Sequence, residues 1–81
     1  MTTINVQEIA DNIRRVRESL YYSQEYMGVK LGIGQNAYSK IELGKCKLTV
    51  ERLLGIAKVL DTDIYTLIDP QINRQPAEKV A

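Results

Sequence analysis

Ser23 to Lys47 reads SQEYMGVKLGIGQNAYSKIELGKCK, and the fold turns on this stretch. Ser23 supplies a hydroxyl that can accept a hydrogen bond from an orphan amide of a helix's first turn. Three residues on stands Tyr26 rather than Glu or Gln, so no full capping box forms. Met27 and Leu31, four apart, make one apolar stripe. Gly28 between them costs a helix interior about 1 kcal/mol relative to alanine, which points to close packing against another helix. Gly32 sits where a helix-ending residue takes the left-handed conformation. Ile33 then plugs the turn and Gly34 starts a second short helix. On a wheel of roughly 100° per residue, Ala37, Tyr38 and Ile41 fall on one side. Gln35, Asn36, Ser39 and Lys40 fall on the other, and Gly44 closes the helix. Leu43 drifts toward the outer side for no reason visible in the sequence.

An outer face of short amides, a hydroxyl and one cation suits the edges of base pairs. Two short helices joined by a glycine turn, the second entering the major groove, make a helix-turn-helix. The segment SQEYMGVKLGIGQNAYSKIELGK resembles the family of phage repressors, Cro proteins and xenobiotic-response-type regulators. Their usual run is Ser-Gln-Glu, a small residue, Leu-Gly-Ile, then Ser-Lys-Ile-Glu ending in Gly-Lys. The resemblance extends over residues 9 to 68. It implies an all-α, compact five-helix lambda-repressor-like domain that binds double-stranded DNA. Three departures stand out: Gly34 in place of a capping Ser or Thr, Gly28 in place of Ala, and Asp61-Thr62 in place of a Gly-hydrophobic pair.

Gln35 and Asn36 open the second helix of the motif, the end that points into the groove. Either amide can bond both N6 and N7 of adenine, a pattern no other base presents there. Lys40, one turn later, can reach guanine O6/N7 or a phosphate, and Ser39 suits any base or a thymine methyl. For all four the bland alternative is a solvated helix face. Phosphate contacts fix register without reading sequence. Gln24 opens the preceding helix, where amides and dipole favour an anion, and the resemblance implies that its side chain also reaches a phosphate. Lys45 and Lys47, with the amides just after the recognition helix, are further candidates. Tyr38 occupies a usually aliphatic family position, so its ring is expected to pack while its hydroxyl reaches the DNA backbone. The resemblance also implies an Arg17–Glu42 ion pair that locks the first helix to the third.

The 81 residues make one small domain. There is no Trp or Phe, so aliphatic residues, Met and five Tyr must fill the core. The absence of His removes the usual general base and metal ligand, and the single Cys46 excludes an internal disulfide and points to a reducing compartment. No catalytic residue, metal or cofactor is expected. No apolar run approaches the ~20 residues of a membrane span, and no signal segment begins the chain, so a cytoplasmic, nucleoid-associated protein is expected. The net charge of +1 is small but unevenly placed. Residues 14 to 47 hold seven cations against three acids, a net +4, where DNA contact is proposed.

Residues 1–6 read as an N-terminal arm, 7–69 as the DNA-binding domain and 70–81 as a flexible polar tail. Ile9, Ile13, Val16 and Leu20 mark an amphipathic first helix. Tyr21-Tyr22 connects it to the next and is expected to be partly buried. Thr49 is a candidate cap for a fourth helix carrying Leu53, Ile56, Ala57 and Leu60. Thr62 or Asp63 caps a short fifth helix, and Pro70 stops it.

One recognition helix covers about half a site, and the resemblance implies a homodimer on an operator of paired half-sites. Ile64, Tyr65, Leu67 and Ile68 of the fifth helix are candidates for that contact; the alternative, that the helix caps the core, stands beside it. Cys46 between two lysines admits a redox reading, though an incidental thiol is the simpler one. Gly32-Ile33-Gly34 with Ala37 formally matches a dinucleotide fingerprint, but no strand precedes it. The main expectation is a small transcriptional regulator, a repressor or operon controller. The rival is an antitoxin-like module that masks a protein partner, with DNA binding secondary.

Overall fold

A computed structural model describes residues 5–69. It contains five helices: α1 (Val6–Ser19), α2 (Gln24–Leu31), α3 (Gly34–Glu42), α4 (Val50–Val59) and α5 (Ile64–Ile68). Helix α1 starts at Val6 because Asn5 caps it by accepting from the Glu8 amide at 2.8 Å. The remainder of the expected N-terminal arm and the tail at 70–81 lie outside the described residues.

Side-chain caps start four of the five helices. Ser23, Thr49 and Asp63 accept from the backbone amides of Tyr26, Arg52 and Thr66 and so begin α2, α4 and α5. The helix ends share one device. In α1 to α4 an amide just past the end bonds a carbonyl five residues back: Tyr22 to Arg17, Ile33 to Gly28, Lys45 to Lys40, Thr62 to Ala57. Each closure places the residue before that amide in the left-handed region. Gly32 and Gly44 meet that demand without strain, whereas Tyr21 (φ 60°) and Asp61 (φ 56°) meet it with a side chain.

Ile9 and Ile13 from α1, Met27 from α2, Tyr38 and Ile41 from α3, Leu53 and Ile56 from α4, and Leu67 from α5 form one core, extended by Leu60. Each such side chain taken out of water contributes about 1.5–3 kcal/mol. Val16 continues the α1 stripe into this core, but Leu20 is the C-cap and stays largely outside. Tyr22 packs on the core and meets the Tyr26 ring at a centroid distance of 4.5 Å. Tyr21, expected to be partly buried, is instead 94% exposed, because the left-handed turn swings it outward. Asn12 is buried and donates from Nδ2 to the Leu67 carbonyl at 2.8 Å, which fastens α5 to α1. Among the described residues no helix is long and apolar enough to cross a membrane.

Candidate nucleic-acid interface

The placement of α3 follows from a backbone-to-backbone contact. A Cβ built on Gly28 would lie 2.6 Å from both the carbonyl carbon and oxygen of Gly34 and 2.9 Å from the Gln35 nitrogen. Only glycine at 28 lets the start of α3 settle this deeply on α2. Gly34 has φ +81°, and no side chain caps α3. Two of the three departures therefore sit at one contact: glycine at 34 meets a positive φ there, and glycine at 28 leaves room for its carbonyl.

The far end of α3 is held by a buried polar cluster. Glu42 is 6% exposed and its two carboxylate oxygens accept from three side chains. Arg17 donates through Nε to Oε2 at 2.6 Å and through Nη2 to Oε1 at 3.0 Å. Gln24 Nε2 donates to Oε1 at 3.1 Å, and the Tyr38 hydroxyl donates to Oε2 in a short hydrogen bond. Arg17 Nη1 also donates to the Tyr22 carbonyl at 2.8 Å. Three helices and the α1–α2 turn thus converge on one carboxylate. Burial alone would raise the Glu42 pKa, but the hydrogen bonds from Arg17, Tyr38 and Gln24 outweigh it and hold the group below its ordinary range. The bond to Glu42 raises Arg17, and burial followed by that same carboxylate raises Tyr38.

This cluster corrects two expectations. Tyr38 has no solvent exposure and its hydroxyl is spent on Glu42, so it does not point outward toward a phosphate. Gln24 is half-buried and turns its amide to the same carboxylate, which is the anion nearer to it. A third correction concerns α5: Leu67 is fully buried in the core and cannot serve a dimer contact, while Ile64 and Ile68 are half-buried against that core. Of the four residues, Tyr65 alone is well exposed, at 61%.

With Tyr38, Ile41 and Glu42 fixing the inward face, the outward face of α3 presents Gln35, Asn36 and Lys40, with Ser39 half-buried at its edge. Ala37, expected on the packed side, is exposed. It lies at the margin of the packed arc and opens into a groove of about 340 Å³ that Lys40, Lys47 and Arg52 also line. Lys45 and Lys47 are exposed beyond the end of α3, and Cys46 between them turns partly onto the core. The Lys45 amide is committed to the Lys40 carbonyl at 3.0 Å, so only its ammonium is free for an anion.

Sequence reasoning missed Arg52 and the exposure of Ala37. Arg52 sits three residues after the cap Thr49, so the start of α4 held the signal that the cation lies beside the groove. Among the described residues that line this groove, the ionisable side chains are three cations and one thiol, with no acid.

A model of the helix-turn-helix family HTH_3 matches residues 13–67. The chain is 29% identical over 66 residues to the uncharacterized HTH-type transcriptional regulator YqaE of Bacillus subtilis, covering 82% of this chain and 57% of that protein. It therefore spans little more than half the length of this curated relative. Among solved structures, the biofilm master regulator SinR in complex with DNA is 27% identical with a TM-score of 0.68, over 75% of this chain and 98% of SinR. An iron(II) form of HppE with substrate is also 27% identical, with a TM-score of 0.74, over 80% of this chain but only 38% of HppE.

Proposed function

Because the chain belongs to the HTH_3 helix-turn-helix family, we propose that it binds double-stranded DNA sequence-specifically and regulates transcription. The observation that carries this is the division of α3 into two faces. Tyr38, Ile41 and Glu42 are buried, whereas Gln35, Asn36 and Lys40 stand outward beside Lys45, Lys47 and Arg52. In the major groove the two amides take adenine N6/N7, and Lys40 takes a guanine edge or a phosphate. Ser39 contributes a short hydroxyl at the strip's edge. Lys45, Lys47 and Arg52 hold phosphates and set register. Gln24 acts from behind, by orienting Glu42.

The likeness to YqaE, an HTH-type transcriptional regulator, and to SinR, solved in complex with DNA, supports the same reading. The HppE match covers a minor part of that enzyme, and the strip on α3 has amides and cations but no acid–base pair. On this reading the protein binds without catalysis, in the cytoplasm at the nucleoid, as a repressor or operon controller.

One recognition helix spans about half of an operator, so a homodimer on two half-sites is part of the proposal. Tyr65, with the half-exposed edges of Ile64 and Ile68, is the contact surface that α5 offers. Selection of duplexes from a random library by the purified protein tests the DNA reading. Enrichment of a paired, inverted motif is expected, with half-site centres about 10–10.5 base pairs apart or a multiple of that. A pool that stays random after several rounds would overturn it. Sedimentation at micromolar concentration, with and without Tyr65→Glu, checks the dimer.

A further inference from the structure

Leu43, the C-cap of α3, carries a large apolar side chain that stays largely in solvent. It is 54% exposed, against 3% for Ile41 and none for Tyr38 on the same helix. At roughly 100° per residue, positions 36, 40 and 43 fall on one strip, so Leu43 continues the line of Asn36 and Lys40. A leucine in that line adds nothing to the core and nothing to an ion pair.

Its surroundings select the occupant. Lys45 and Lys47 lie two and four residues beyond it, and Lys40 precedes it by about one turn, with all three ammonium groups on exposed side chains. The one acid of α3, Glu42, is buried and neutralised by Arg17. An apolar group set among free cations suits a partner that is anionic overall and apolar at one point. Thymine in duplex DNA has that character, because its C5-methyl is the one apolar group displayed on a base edge in the major groove. Every A·T pair whose adenine accepts an amide also shows this methyl beside it, on the opposite strand. From Gln35 to Leu43, the C-cap of α3, the strip rises ~12 Å at 1.5 Å per residue, which matches the ~12 Å width of the groove.

We infer that Leu43 is a specificity-determining residue that reads the C5-methyl of a thymine in each half-site. The inference rests on the proposed DNA binding and adds the base group that the strip's apolar end recognises. Uracil differs from thymine by that methyl alone, which makes the test a chemical one. In a selected operator, thymines are replaced by uracil one position at a time, and affinity is measured for the wild type, Leu43→Ala, Leu43→Met and Lys40→Ala.

The wild type should lose about fourfold at one thymine of each half-site, the effect of one buried methyl. Leu43→Ala should bind the thymine duplex more weakly and show no further loss on uracil at that position. Leu43→Met and Lys40→Ala should keep the thymine preference. Equal binding of thymine and uracil at every position by the wild type would overturn the inference while leaving the DNA reading intact. So would a thymine preference that persists in Leu43→Ala. Failure to select any operator would overturn the DNA reading beneath it.

Discussion

Arg17 and Glu42 lie 25 positions apart in the chain and meet in a two-pronged ion pair, at 2.6 Å and 3.0 Å. The pair joins α1 to the end of α3, and the guanidinium reaches on to the Tyr22 carbonyl. Both residues are buried, so removing one partner strands a charge that has no water to replace it. Arg17→Met is expected to destabilise the domain by about 3–5 kcal/mol. The double variant Arg17→Met/Glu42→Met should recover much of that loss, as an apolar pair in a buried place often does. Urea denaturation of the three variants decides it; an additive double loss would contradict a coupled pair.

The same carboxylate sets an acid limit. Its folded pKa lies below the ordinary 4.5, so the unfolded chain takes up its proton first as pH falls. Glu42 thus contributes stability fully above about pH 4.5, lost progressively as pH drops through the folded value. Denaturation midpoints measured from pH 7 down to pH 3 should fall below that point in the wild type. Glu42→Gln should be less stable at neutral pH, with a shallower fall in acid. Tyr38 acts at the other extreme: its raised folded pKa means that its contribution declines above about pH 10, where unfolded tyrosine ionises.

Gly28→Ala separates helix propensity from packing. Alanine gains about 1 kcal/mol of propensity in an isolated helix. In this fold its methyl meets the Gly34 carbonyl at 2.6 Å, and backbone cannot rotate aside as a side chain can. A net destabilisation of about 1–3 kcal/mol is expected, the usual cost of overpacking. Amide shift changes should concentrate at Gly34 to Asn36, and DNA affinity should fall with them. A variant as stable as the wild type would mean that α2 and α3 are not in this contact.

Asp61 offers a gain. It holds φ 56° at the end of α4, where glycine would sit without strain. Asp61→Gly is expected to stabilise by about 1 kcal/mol, which for a domain of this size raises the melting temperature by roughly 4–8 °C. Thermal melts followed by circular dichroism check it. The same reasoning applies to Tyr21→Gly, where the side chain that is removed is almost wholly in solvent.

These cases show which parts of the molecule were legible in the sequence. Caps and glycine turns are local, so Ser23, Gly32, Gly44 and Thr49 could be placed from their neighbours alone, and with them the helix-turn-helix. The apolar spacing of α1 and α4 placed most of the core for the same reason. Tyr38 and Gln24 were misread because an outward or inward choice for a polar tip depends on what a distant helix brings to it. Here that is the Arg17–Glu42 pair, supplied from α1 and the far end of α3. Leu67 was misread because a five-residue helix has too few positions for a periodicity to separate its faces. Ala37 lies at the edge of the packed arc, where a wheel angle cannot tell a margin from a core.

The proposed DNA interface is the Gln35–Lys40 face of α3, with Tyr38 buried behind it. It is tested most directly by fluorescence-anisotropy titration of a labelled duplex across a series of salt concentrations, for the wild type, Lys40→Ala, Gln35→Ala and Tyr38→Phe. Affinity should fall linearly with salt on logarithmic axes, with a slope reflecting several phosphate charges. The slope should be lower by about one in Lys40→Ala if Lys40 holds a phosphate, and unchanged in Tyr38→Phe, whose hydroxyl faces Glu42. Micromolar protein that ignores duplex at low salt, or a Tyr38→Phe slope that drops as Lys40→Ala would, contradicts this interface.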